Sequence, residues 1–303
     1  MKQLSPARTS TRPRLRYGSL LALLVLTLTM TQAHAQVTVR LQMSKANYIL
    51  NEPVTATVHI TNHAGRQLVL KGEHNRAWLN FHLTSGGRVI PNARLMDYKP
   101  VVIPAGQTVA RSIAINTTYA LGNMGNYVCT ASVNMPGPTR NGFSSNRTQF
   151  TITSGRTAWV QRAGIPNAPG EVREYKLLTF SGNRSLELFA QVSSANNGRN
   201  IATIPLGKIL SFRKPTGTLD RANNMHVIYQ VKPNLFTHTC ISPNGQVISA
   251  AHHQRGATGD PRLITFANGE VRIAGSIPYD PAAEAAQRKK IHNISERPPF
   301  VYR

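Results

Sequence analysis

From Val54 to Thr61 apolar and polar residues alternate without a break, the period of a strand with one buried face. Asn62-His63-Ala64-Gly65 ends that run with turn chemistry. Arg76 to Thr84 repeats the pattern, with Leu79, Phe81 and Leu83 on one face and Trp78, Asn80 and His82 on the other. Ser85-Gly86-Gly87-Arg88 then predicts a tight hairpin, because its glycines supply the positive φ such turns need. Thr108 to Ile115, Asn126 to Val133 and Thr148 to Thr153 are further strand candidates. Many short strands and no convincing helix between 37 and 153 predict an antiparallel sandwich.

Gly125-Asn126-Tyr127-Val128-Cys129 matches the G-x-Y-x-C run at the corner of immunoglobulin-type domains. There the tyrosine hydroxyl bonds back to the preceding loop, here Asn116 to Met124. The second-strand cysteine of that fold is missing from Val54 to Thr61, so Cys129 is expected to be a buried thiol. Tyr48-x-x-Asn51-Glu52-Pro53-Val54, Ile60-Thr61-Asn62-His63-x-Gly65, Ile103-Pro104-Ala105-Gly106 and Gly125-x-Tyr127 together resemble bacterial BsuPI-type proteinase-inhibitor-like sandwiches. The resemblance covers about residues 37–153 and implies a protein-interaction module of inhibitor ancestry. No reactive-site motif accompanies it. The whole chain also resembles uncharacterised exported bacterial proteins that pair a sandwich with hairpins, which implies no activity.

Beyond Thr153 the pattern changes. Residues 155–173 are interrupted by Gly164, Pro166, Pro169 and Gly170 and read as a linker. Hairpins are expected from Glu174 to Phe180 with Ser185 to Val192, and from Met225 to Val231 with Leu235 to Ser242. Asn244-Gly245 and Asn268-Gly269 are hairpin-turn dipeptides. A weak repeat offsets Pro215 from Pro261 by 46 residues and lays Met225-His226-Val227 on Val271-Arg272-Ile273. Such a period suits propeller blades. However, residues 174–278 have room for two or three blades where closed propellers need about four, so a compact sheet of blade-like hairpins is favoured. Asp280-Pro281 then has the grammar of a helix start, followed by good helix formers to about Ile291 and by an extended tail.

The expected fold class is therefore all-β, and the chain divides into five segments. They are a leader over 1–35, an immunoglobulin-like sandwich over 36–154, a linker over 155–173, a β-hairpin domain over 174–278, and a short basic helix with tail over 279–303. The leader reads as a secretory signal peptide. It has Lys2, Arg8, Arg12, Arg14 and Arg16 without an acid, an apolar run from Leu20 to Leu28, and Ala33-His34-Ala35 before the cut. The run is far short of the ~20 residues that span a bilayer. A periplasmic or extracellular location is expected, with no transmembrane span after cleavage.

Cleavage removes five basic residues and no acids from totals of 35 and 12, leaving a net charge of +18. A field of that sign attracts anionic polymers and surfaces. The partners it suggests are an anionic polysaccharide, lipid headgroups or a protein, with nucleic acid bound only non-specifically; a basic composition without a specific ligand is the competing reading. The one tight cluster is Arg288-Lys289-Lys290. The two cysteines, Cys129 and Cys240, are two buried thiols or one cross-domain bridge, and their spacing does not choose.

Motifs for chemistry are lacking: no G-x-S-x-G, no H-E-x-x-H, no phosphate loop and no dinucleotide fingerprint. Nothing nominates a carboxylate pair for glycoside hydrolysis. His226 and His238 fall on strands expected to pair, and His252-His253 ends a third. A two-residue Pro233-Asn234 turn would put His226 and His238 on opposite faces, so ordinary sheet histidines are favoured over a shared metal. No catalytic, cofactor-binding or metal residue is assigned. The reading is a non-enzymatic accessory or binding protein, with a polysaccharide-active enzyme and a proteinase inhibitor as the alternatives.

Overall fold

A computed structural model describes residues 36–73, 76–94, 98–135, 142–166, 168–182, 185–282 and 285. The expected leader, the Arg288-Lys289-Lys290 cluster and most of the C-terminal helix and tail lie outside them. The start of that helix is described, with Asp280 Oδ1 accepting the Ala282 N–H at 2.8 Å. The described chain is strand-dominated throughout.

The first half contains β1 (Val37–Met43), β2 (Asn47–Ile49), β3 (Thr55–Asn62), β4 (Leu68–Leu70), β5 (Leu79–Ser85) and β6 (Arg88–Ile90). It continues with β7 (Val101–Ile103), β8 (Thr108–Ala114), β9 (Gly125–Asn134), β10 (Gly142–Ser144) and β11 (Thr148–Thr153). One sheet runs β1-β3-β8 and another runs β2-β11-β9-β5-β6, with β10 beside β9. Their facing residues form one core, in which Ala56, Val58 and Ile60 of β3 meet Leu79, Phe81 and Leu83 of β5. The alternation read in both strands is the alternation that is buried. Trp78 is also buried, because it precedes β5 and its indole N–H donates to the Tyr98 carbonyl at 3.0 Å. The Gly86-Gly87 hairpin forms as expected, with φ of 55° and 79°. Tyr127 Oη donates to the Asn123 carbonyl at 2.6 Å, inside the loop named for it.

The second half contains β12 (Arg156–Gly164), β13 (Val172–Ser181), β14 (Leu186–Ser194), β15 (Asn200–Ile209), β16 (Thr216–Leu219) and β17 (Met225–Lys232). Then come β18 (Leu235–Ile241), β19 (Val247–Arg255), β20 (Arg262–Thr265), β21 (Val271–Ala274) and β22 (Ser276–Pro278). A sheet β12-β13-β14-β15 and a sheet β16-β17-β18-β19-β22 share a second core around Tyr175, Leu188, Val192, Val227 and Ile241. The segment read as a linker holds a nine-residue strand instead, β12. It escaped notice because it is an edge strand with hardly a buried position, so selection left no apolar alternation to read. The four principal sheets are disposed like four blades, so the whole chain reaches the number that its second half alone does not. Their cores nevertheless pair them two and two.

The 46-residue repeat corresponds to a repeated hairpin. In β16–β17 Thr216 pairs with Ile228 and Leu219 with Met225. In β20–β21 Arg262 pairs with Ala274 and Thr265 with Val271, the same register moved by the same offset. The copies lie against each other, with Thr218 Oγ1 and Thr265 Oγ1 3.2 Å apart and the Arg221 N–H donating to the Gly269 carbonyl at 3.0 Å.

The halves meet at a seam. Ile49 packs with Leu178 and Phe189, and Phe180 joins them. Over this apolar patch Lys45 Nζ donates to Glu52 and, at 2.6 Å, to Glu187, while lying 5.1 Å from the Phe189 ring centroid. Glu52 is buried, and its other oxygen accepts the Ile49 N–H at 3.0 Å. Burial works against the Lys45 charge, but the two carboxylates outweigh it and hold its pKa above the ordinary value. Lys45→Met should therefore strand a buried carboxylate and cost about 2–3 kcal/mol, the lower part of the range because the lysine is partly solvated. Scanning calorimetry should show a lower first transition and the melting of the halves drawn apart; an unchanged single transition would refute this role.

Candidate functional site

A cleft of about 620 Å³ opens at one end of the second half, where the starts of β12 and β14 meet the ends of β13 and β15. Leu186, Ile209 and Pro215 are apolar residues of its lining, which Phe180 also joins, and its cations are Arg156, Arg213 and Lys214. The Phe180 ring packs into the seam with Leu178 and Phe189, on the sheet face opposite Leu186 and Ser181. The segment after β15 that carries Arg213 and Lys214 is anchored by Pro215, which is buried, and by Gly217. A Cβ on Gly217 would stand 2.9 Å from the Trp159 indole, so only glycine lets β16 lie against β12 at that point. Arg213 is held by Asp260, which also binds Arg255. Burial disfavours the Asp260 charge, but its arginines, Arg255 foremost, keep its pKa below the carboxylate range. Arg156 and Lys214 make no ion pair among the described residues, so two free positive charges face the cleft.

The second concentration of chemistry is the outer face of the β16–β19 sheet. His226 and His238 lie on the same face, contrary to the expectation from the turn. A β-bulge at Val231 lets Gln230 pair with Phe236 while Lys232 pairs with Leu235, which shifts the register by one residue. His226 Nδ1 and His238 Nε2 are 3.0 Å apart and the rings stack with centroids at 5.2 Å. His253 adds a ring at 6.3 Å from His238, and His252 points to the other face, bonded to Thr237 Oγ1 at 3.0 Å. Asp220 Oδ2 lies 3.2 Å from His226 Nε2. Because a carboxylate only accepts, that nitrogen carries a proton.

Cysteine, histidine and aspartate thus meet, since Cys240 Sγ is 3.7 Å from the same His226 Nε2. The arrangement is not a nucleophilic triad. Thiol and carboxylate share one ring nitrogen, which already holds a proton, and burial with the Asp220 charge pushes the Cys240 thiol pKa up. Both Cys240 and Cys129 are buried free thiols, and burial raises Cys129 to about 12. No group of three or more His, Cys, Asp or Glu among the described residues is arranged to hold a metal ion. The imidazoles are spent on each other and on Asp220.

Sequence reading found the histidines but not the bulge that joins them, and it did not find the cleft. Arg156, Arg213 and Lys214 are ordinary surface residues until three segments converge, and no local signal marks them.

Burial first, then His226 and His253, lowers His238 to about 4 from the ordinary 6.5. Burial lowers His253 in the same direction. Between those two values the unfolded chain binds the proton that the folded chain refuses, so stability should fall as pH drops from about 6.5 to about 4. His238→Gln should flatten the melting temperature against pH across that window, and an unaltered slope would place the acid sensitivity elsewhere. Against known proteins, no family's sequence pattern matches the chain and no curated protein matches it. Among solved structures, the sporulation control protein Spo0M from Bacillus subtilis is similar at 12% identity, with 55% of this chain and 83% of that chain covered and a TM-score of 0.26.

Proposed function

We propose that the chain is an exported, non-enzymatic binding protein that engages an anionic partner. The observation that carries this is how its charge is distributed. Of the nine described carboxylates, seven hold a Lys or Arg side chain, Asp220 holds His226, and Asp280 caps a helix start. The acids are therefore committed internally, while Arg40, Arg88, Arg111, Arg156, Lys208 and Lys214 form no ion pair among the described residues. A net positive charge without internal partners is a field for an external one.

The same commitment weighs against glycoside hydrolysis, which requires two carboxylates held across a cleft. The cleft at Phe180 is lined by none. Export rests on the leader pattern. The first half, with its tyrosine bonded back to the 123 carbonyl and its two sheets around one core, is read as an immunoglobulin-like scaffold.

The test is binding of residues 36–303 to a panel of anionic polysaccharides, anionic vesicles and duplex DNA at low and physiological salt. Retention of one class at physiological salt, with DNA released as salt rises, is the expected result. Absence of binding to every polyanion even at low salt would end the proposal.

A further inference from the structure

The proposed function leaves open which anionic partner is bound and where, and the cleft at the ends of β13 and β15 bears on both. It combines three surfaces that rarely coincide. Its lining includes the apolar Leu186, Ile209 and Pro215, the hydroxyl-bearing Thr157, Ser181 and Ser211, and Arg156 and Lys214, which make no ion pair among the described residues. Arg213 is a third cation, but Asp260 orients it and offsets much of its charge.

A lipid headgroup or free phosphate would need little of the apolar lining and few of the hydroxyls. A single-stranded nucleic acid would need a series of aromatic faces along a groove, and here one ring, Phe180, lines the cleft. A saccharide ring presents apolar C–H faces and a girdle of hydroxyls, and an acidic one adds a carboxylate. Those groups match the apolar, hydroxyl-bearing and cationic parts of the lining in turn. The volume of about 620 Å³ falls within the range of small-ligand sites and admits a short oligosaccharide rather than a single small ion. The cleft is also prebuilt, because the Trp159–Gly217 contact fixes the strand that follows Lys214. Little ordering is left to oppose binding.

We infer that the cleft is a binding site for an acidic oligosaccharide, with Arg156 and Lys214 holding sugar carboxylates at its rim. This rests on the reading of the chain as a binder of anionic partners and specifies its ligand class. Arginine takes a carboxylate with two parallel N–H donors, and lysine takes a second as a point charge. Ser and Thr hydroxyls exchange hydrogen bonds with sugar hydroxyls in either direction.

The experiment is calorimetric titration of residues 36–303 at about 0.15 M salt with a short oligogalacturonide, a neutral malto-oligosaccharide of the same length, and oligothymidylate. The oligogalacturonide should bind, and the neutral sugar should bind at least tenfold more weakly. The double variant Arg156→Gln, Lys214→Gln should lose at least tenfold in affinity for the acidic sugar while keeping its low-salt binding to duplex DNA, because most surface cations remain. Oligogalacturonide affinity unchanged in the variant would move the ligand out of the cleft and overturn the inference. Oligothymidylate binding as tight as the acidic sugar, and equally sensitive to the variant, would overturn the saccharide assignment. Either result leaves the broader reading standing, whereas failure of the wild-type protein to bind any polyanion at low salt defeats both.

Discussion

The Lys45 ammonium is the point on which the two halves depend. It serves Glu52 of the first half and Glu187 of the second while capping the Phe189 ring. A buried carboxylate such as Glu52 costs several kcal/mol unless its charge is met, so the first half cannot leave that lysine unengaged. Glu187 and Phe189 flank Leu188, which sits in the second core. The ion pairs and the Ile49–Phe189 patch therefore bind a strand of one core to a strand of the other. Phe180 is part of the same patch and also a residue of the cleft lining, so the seam and the cleft share a strand end.

The second half is built by reuse. A hairpin of fixed register recurs after 46 residues, and the copies stack through Thr218 and Thr265. The first copy extends the β17–β18 sheet, while the second stands as its own two-stranded unit. The sheet edges are blunted by ordinary means. Asn146 Oδ1 and Nδ2 bond both backbone groups of Leu41 on β1, β12 and β15 carry charges and bulges, and β15 also carries Pro205. Edges closed in this way do not offer a template for pairing with another chain.

How much was legible in the sequence depended on whether a feature was local. Strands β3, β9 and β11 were read to within a residue and β5 to within three, because each has one buried face. The bond from Tyr127 was read from a five-residue motif. Strand β12 was hidden because exposure leaves no pattern, and β15 because Pro205 and Gly207 look like loop residues although an edge strand tolerates them. The cleft was invisible because its cations, at 156, 213 and 214, belong to segments that only the fold brings together. The histidine cluster was half visible, in that its strands were named but its parity was wrong.

That parity was set by one residue. Val231 is the supernumerary member of the β17–β18 hairpin, and everything on the far side of it is displaced by half a pleat. Deleting it alone would ask the six positions 225–230 to exchange sides, with Met225, Val227 and Tyr229 turned outward and the His226 imidazole turned into the core. The two-residue turn and the bulge are thus linked in their lengths. In a lineage carrying this hairpin, a single insertion or deletion there can persist only alongside a second of opposite sense, so length changes should come in compensating pairs, a constraint of arithmetic rather than of chemistry.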